Sequence, residues 1–118
     1  MSYDLAVWEG ERPRDHSAAG RTFTDLYDDY LDTEMEHPPT ERIAAYVAAL
    51  LERWSDLTED VDDTSPWSTE PLIGEASGPL VYFAMRWSMA EEASAYAAAL
   101  ANSMGLACFD PQQNRLTP

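Results

Sequence analysis

LVYFAMRWSMAEEASAYAAALANSMG, residues 80–105, is the stretch that decides the fold. Residues 80–87 are nearly all apolar, the pattern of a central strand covered on both faces. Alternation puts Leu80, Tyr82 and Ala84 on one side and Val81, Phe83, Met85 and Trp87 on the other. The period then changes. Ser88 and Glu91 stand as N-cap and N3 of a capping box. Ala93, Tyr96, Ala97, Leu100, Ala101 and Met104 follow at helical spacing, and Gly105 stops the helix. A strand that runs straight into an alanine-rich helix predicts an α+β sheet with that helix lying close against it.

The flanking segments extend this pattern. Residues 72–77 read as a strand joined to 80–87 through Ser77-Gly78-Pro79, and residues 106–110 read as the last strand, with 111–118 as a tail. Residues 3–8, YDLAVW, alternate and read as the first strand. A loop is expected over 9–20, with its glycines, proline and mixed charge. Residues 21–34 predict a helix with Phe23, Leu26, Tyr27, Tyr30 and Leu31 in one stripe, ended by His37-Pro38-Pro39. Thr40 is the N-cap of a second helix, whose stripe is Ile43, Tyr46, Val47, Leu50, Leu51 and Trp54 and which ends near Ser55. Residues 56–70 have no periodicity and read as a long acidic loop holding Trp67.

The order β-αα-β-β-α-β is that of a ferredoxin-like, split βαβ plan. It implies a four-stranded antiparallel sheet, with the first and third strands central and the helices on one face. An open α/β sandwich with another strand order is the alternative. In the ferredoxin-like plan one sheet face needs cover, from the 56–70 loop with Trp67 or from a second subunit, so monomer and homodimer both stand.

Composition bounds the function. At 118 residues the chain reads as one domain, 1–118, and 45% hydrophobic residues suffice for a core. Twenty-two acidic residues face seven arginines and no lysine, for a net charge of −15. Residues 1–63 hold 17 acids and 5 arginines (net −12), and residues 64–118 hold 5 and 2 (net −3). Such a field repels nucleic acid and anionic lipid and attracts cations and basic proteins. No apolar run is long enough to span a bilayer, and the N-terminus lacks a secretory pattern. A lone cysteine, Cys108, suits a reducing cytoplasm.

Chemical motifs are missing where they would be decisive. From Asp60, an EF-hand reading finds acids at positions 1 and 3, but Thr64, Ser65 and Pro71 at positions 5, 6 and 12, so no metal site is assigned. No serine or cysteine has a nucleophile context, and His16 and His37 fall in loops. There is no zinc spacing and no phosphate-binding glycine loop, so neither a cofactor nor a catalytic residue is expected.

The segments SYDLAVWE (2–9), SPW (65–67) and YFAMRWS (82–88), with the helix, Gly105 and CFDP (108–111), resemble a group of small acidic bacterial proteins frequent in actinobacteria. The resemblance implies a compact cytoplasmic domain and brings no activity with it.

Two functional readings follow. The first is a non-enzymatic interaction module that binds a basic protein, in an immunity- or antitoxin-like manner, through Asp25, Asp28, Asp29, Asp32, Glu34, Glu36, Asp60, Asp62, Asp63 and Trp67. The second is a small-ligand-binding or minor enzymatic domain of ferredoxin-like type. The bland reading of the aspartates is a solvated helix face.

Overall fold

A computed structural model describes residues 2–54, 65–68 and 71–117. The chain forms β1 (Ser2–Trp8), α1 (His16–Leu26) running into a π-helical turn (Tyr27–Leu31), and α2 (Glu41–Arg53). A 3-10 turn (Leu72–Glu75), β2 (Ala76–Ser77) and β3 (Leu80–Arg86) follow. Another 3-10 turn (Trp87–Met89), α3 (Ala90–Ser103), β4 (Ala107–Asp110) and β5 (Arg115–Leu116) complete it. The fold is α+β, with one five-stranded sheet in the order β2-β3-β1-β4-β5 and every pairing antiparallel. As expected, β1 and β3 are central, paired from Ser2↔Arg86 to Trp8↔Leu80.

Strand alternation splits the core in two. Leu5, Val7, Val81, Phe83, Met85 and Cys108 point to α2 and α3, which contribute Ile43, Tyr46, Val47, Leu50, Ala93, Ala97 and Ala101. Alanines on α3 let it lie close to α2, and the Tyr46 hydroxyl donates to the Ala97 carbonyl at 2.8 Å. Thr40 caps α2 as expected, its hydroxyl accepting from the Ile43 N–H at 3.3 Å. Ala6, Trp8, Leu80, Ala107, Phe109 and Leu116 point the other way, to Ala19 of α1, with Phe23, Leu26, Leu31 and Tyr82 at the margin.

The structure departs from the sequence pattern at several places. The helices do not share one face: α2 and α3 do, while α1 covers the opposite one. Cover of that face comes from α1, and Trp67 of the 56–70 loop packs on the α2–α3 side instead. The expected loop over 9–20 stops at Asp15, whose carboxylate accepts from the Ala18 N–H at 2.7 Å and starts α1 at His16. Gly20 sits inside α1 because the helix approaches the β4–β5 turn closely, and a Cβ there would stand 3.0 Å from Asn114 Oδ1. The expected helix over 21–34 ends as a wide turn at Leu31. The sheet has five strands because the supposed tail folds back. Asp110 Oδ1 accepts from the Gln112 and Gln113 N–H groups, and Phe109 then pairs with Leu116.

The expected strand over 72–77 is mostly a 3-10 turn, with two residues of strand at its end. The edge of β3 is instead paired by β2 at one end and by residues 66–68 at the other. There the Arg86 N–H donates to the Pro66 carbonyl (2.6 Å) and the Ser68 N–H to that of Ala84 (3.0 Å). The Ser88–Glu91 capping box does not form. Trp87, Ser88 and Met89 make a 3-10 turn, Met89 is the N-cap, and no side chain caps the helix. Trp87 therefore leaves the strand, with 58% of its surface exposed. The remainder of the 56–70 loop lies outside the described residues.

Candidate functional site

The wide turn after α1 organises the site. The Asp32 N–H donates to the Tyr27 carbonyl at 2.8 Å, five residues back, and the turn is anchored on the β2–β3 hairpin. The Ser77 hydroxyl donates to the Tyr30 carbonyl at 2.8 Å, and the Tyr30 ring lies over Gly78 and 5.0 Å from the His37 ring. Gly78 has φ +56, and a Cβ there would stand 2.7 Å from two Tyr30 ring carbons. Only glycine meets both demands. Tyr27 turns toward the sheet instead, its ring 6.1 Å from Tyr82 and 6.0 Å from Phe23.

These rings floor two adjoining shallow clefts that share Tyr27 and Tyr82. One, of about 310 Å³, is completed by Phe23 and Thr24. The other, of about 340 Å³, is walled by Asp4, Leu31, Glu75 and Ala84. The Tyr82 hydroxyl donates to Asp4 Oδ2 at 3.1 Å. Burial, and then the Asp4 charge, push the Tyr82 phenol up to about 12.

Asp25, Asp28, Asp29, Asp32, Glu34 and Glu36 are all exposed along α1, the wide turn and the segment after it. Among the described residues the one ion pair is Arg53–Glu92 at 3.4 Å, between α2 and α3. None of the six acids is paired. Asp28, Asp29 and Asp32 also sit at the C-terminal end of the α1–π unit, where the helix dipole disfavours negative charge, and no basic residue occupies the last turn of α1.

Trp67 does not belong to this surface. It is fully buried in the α2–α3 core, its ring meeting Trp54 and Phe83 edge-on and its indole N–H donating to the Trp54 carbonyl at 3.0 Å. Asp60, Asp62 and Asp63 lie outside the described residues. Of the acids singled out from the sequence, the structure thus places those from Asp25 to Glu36 on one exposed segment. The sequence did not point to Asp4 and Tyr82, which converge through the pairing of β1 with β3, or to Glu75, which ends the 3-10 turn before β2. The equal spacing of Phe23 and Tyr27 on the apolar stripe was the available signal.

The reactive side chains have structural surroundings. Cys108 is 2% exposed, and burial pushes its thiol up to about 11, so it stays protonated at neutral pH. His16 Nδ1 accepts from the Leu116 N–H at 2.9 Å, tying β5 to α1. No cluster of three or more metal-ligating side chains occurs among the described residues, and no helix there is long and apolar enough to cross a membrane. Compared with models of protein families, with curated proteins and with solved structures, the chain matches none.

Proposed function

We propose that this protein is a cytoplasmic, non-enzymatic module that docks a basic protein through the acidic run Asp25–Glu36 and the aromatic clefts beside it. The observation that carries this reading is six exposed carboxylates on one continuous segment with no cation in ion-pair reach among the described residues, three of them at the disfavoured end of a helix. A face that only needed solvation would mix in arginines or place its acids at a helix start. The carboxylates would steer the encounter, and Tyr27, Tyr82 and Phe23 would receive the apolar or guanidinium parts of the partner. An immunity- or antitoxin-like role, covering a positive cleft on the partner, is the concrete form. The strand order β2-β3-β1-β4 is read as a ferredoxin-like plan with β5 added at one edge.

The test has two stages. The protein is used as bait in its native host to identify a basic partner, and association is then followed by stopped flow. The on-rate is expected to fall steeply between about 0.05 and 0.5 M salt, as the Debye length shrinks from about 14 Å to about 4 Å. Changing Asp25, Asp28, Asp29 and Asp32 to asparagine should slow association more than it speeds dissociation. Unchanged association kinetics in that variant would remove this face from the interface.

A further inference from the structure

A third cleft lies on the other face of the sheet, where β1 and β3 meet the start of α3. It has a volume of about 390 Å³ and is lined by Tyr3, Trp87, Ala90, Glu91, Ser94 and Gln113. Trp87 is more than half exposed, whereas Trp8, Trp54 and Trp67 are all buried. Its ring stands 6.0 Å from that of Tyr3, tilted by 46°. One exposed and one half-buried aromatic ring therefore line one side of the cleft.

Tyr3 is held from behind. Its hydroxyl donates to Asp110, and the Gln113 side-chain amide donates to the Tyr3 oxygen at 3.4 Å. Asp110 is 6% exposed and fixed in turn by the Gln112 amide and the Gln112 and Gln113 N–H groups. Burial and the Asp110 hydrogen bond push the Tyr3 phenol up to about 12, so the ring stays neutral and oriented. In front, Glu91 is exposed, and its carboxylate has no partner among the described residues. No arginine lines the cleft.

From this geometry we propose that the Tyr3–Trp87–Glu91 cleft binds a methylated ammonium group. Aromatic faces attract cations through the ring quadrupole, and the attraction grows when the cation sheds water easily, as an alkylated ammonium does. One carboxylate supplies the charge. A divalent metal is a poor match, because it demands about six oxygen ligands and the side chains of the cleft offer one carboxylate, two hydroxyls and an amide. A phosphate or carboxylate ligand would meet Glu91 and a chain of net charge −15. The fixed Asp110 network holds Tyr3 in position before binding, which lowers the ordering cost.

The probe is tetramethylammonium chloride, titrated against sodium chloride at equal ionic strength. It is followed by the emission of the exposed indole and by broadening of the ligand methyl resonance. A saturable response is expected. Choline should compete with the probe, and 3,3-dimethylbutanol, its neutral isostere, should not. Glu91→Gln should weaken binding about tenfold, and Trp87→Leu, which alters an exposed residue, should abolish the resonance broadening. A response linear in concentration, equal binding of choline and its isostere, or unchanged binding in both variants would overturn the proposal. Comparing choline with a trimethyllysine peptide assigns the source: tighter choline binding points to a small molecule, tighter peptide binding to a modified protein tail.

Discussion

On one face of the sheet, α2 buries Ile43, Tyr46, Val47 and Leu50 and α3 buries four alanines; on the other, α1 buries Ala19 alone. The indole N–H of Trp67, on the first face, finds the Trp54 carbonyl, while that of Trp8, on the second, has no hydrogen-bond partner among the described residues. On the first face, too, Arg53 lies over the Trp54 ring at 4.4 Å and pairs with Glu92. On the second, Asp25, Asp28, Asp29 and Asp32 have no such cation among the described residues, and the rings of Phe23, Tyr27 and Tyr82 reach the surface. The contrast assigns stability mainly to the α2–α3 face and leaves the α1 face free to be shaped by what it contacts.

The sharpest way to break this division is to truncate tryptophans. Trp67→Ala and Trp54→Ala should each cost about 3–5 kcal/mol, the range for large aromatic truncations in a core. Trp87→Ala should stay within about 0.5 kcal/mol, as for an exposed site. Urea unfolding of the three variants measures this directly. A loss below about 1 kcal/mol for Trp67→Ala would return that residue to the list of surface contacts.

Alkaline pH should also strike the first face hardest. The Cys108 thiol moves from its ordinary 9.0 to about 11 through burial among α2–α3 core residues. The folded state therefore keeps a proton that the unfolded chain releases. Its contribution to stability is fully present below pH 9 and is lost as pH rises through 11. At about 1.4 kcal/mol per unit, the loss is on the order of 2–3 kcal/mol. Tyr3 and Tyr82, raised to about 12, act in the same direction at higher pH. Unfolding midpoints taken from neutral to strongly alkaline pH should fall more steeply for the wild type than for Cys108→Ala. Equal slopes would mean that the thiol titrates normally.

Gly78 connects the hairpin to the acidic segment, and Gly78→Ala should cost about 1–2 kcal/mol from the left-handed backbone alone. Displacement of Tyr30 adds to that. The change should also disturb the Tyr30–His37 ring contact, visible as shifted aromatic resonances. A variant as stable as the wild type with an unmoved Tyr30 would show that the wide turn does not depend on this packing.

Much of this was legible from residues, and the failures have common physical roots. Central strands and α2 were readable because apolar spacing and a capping threonine agree locally. Helix α1 was half missed because Gly20 reads as a breaker, while the close approach to Asn114 favours it. Residues 72–77 looked like a strand by composition, but Leu72 is buried through a 3-10 turn that Pro71 precedes. Trp67 was misplaced because five acids within 56–63 dominated the reading of its surroundings. A large ring follows the nearest unfilled core, and no local rule says where that core is. The Tyr27–Tyr82–Asp4 arrangement depends on the β1–β3 register and on a widened helical turn, neither of which is written in spacing.

The smallest expected effect separates the two faces by sign. Glu41 stands in the first turn of α2, where the positive end of the helix favours an acid, and Glu41→Gln should cost about 0.3–1 kcal/mol at low salt. Asp28, Asp29 and Asp32 stand at the opposite end of the α1–π unit, with Asp25 one turn earlier. Changing all four to asparagine removes like-charge repulsion worth about 0.2–0.5 kcal/mol per neighbouring pair. It also removes an unfavourable interaction with the helix dipole. This variant should therefore gain up to about 1 kcal/mol, and the gain should shrink at high salt, as exposed charges are screened. Thermal unfolding of both variants at low and high salt measures the pair of signs. A loss of stability in the fourfold variant would mean that the aspartates brace the α1 face, and their unpaired arrangement would no longer favour docking.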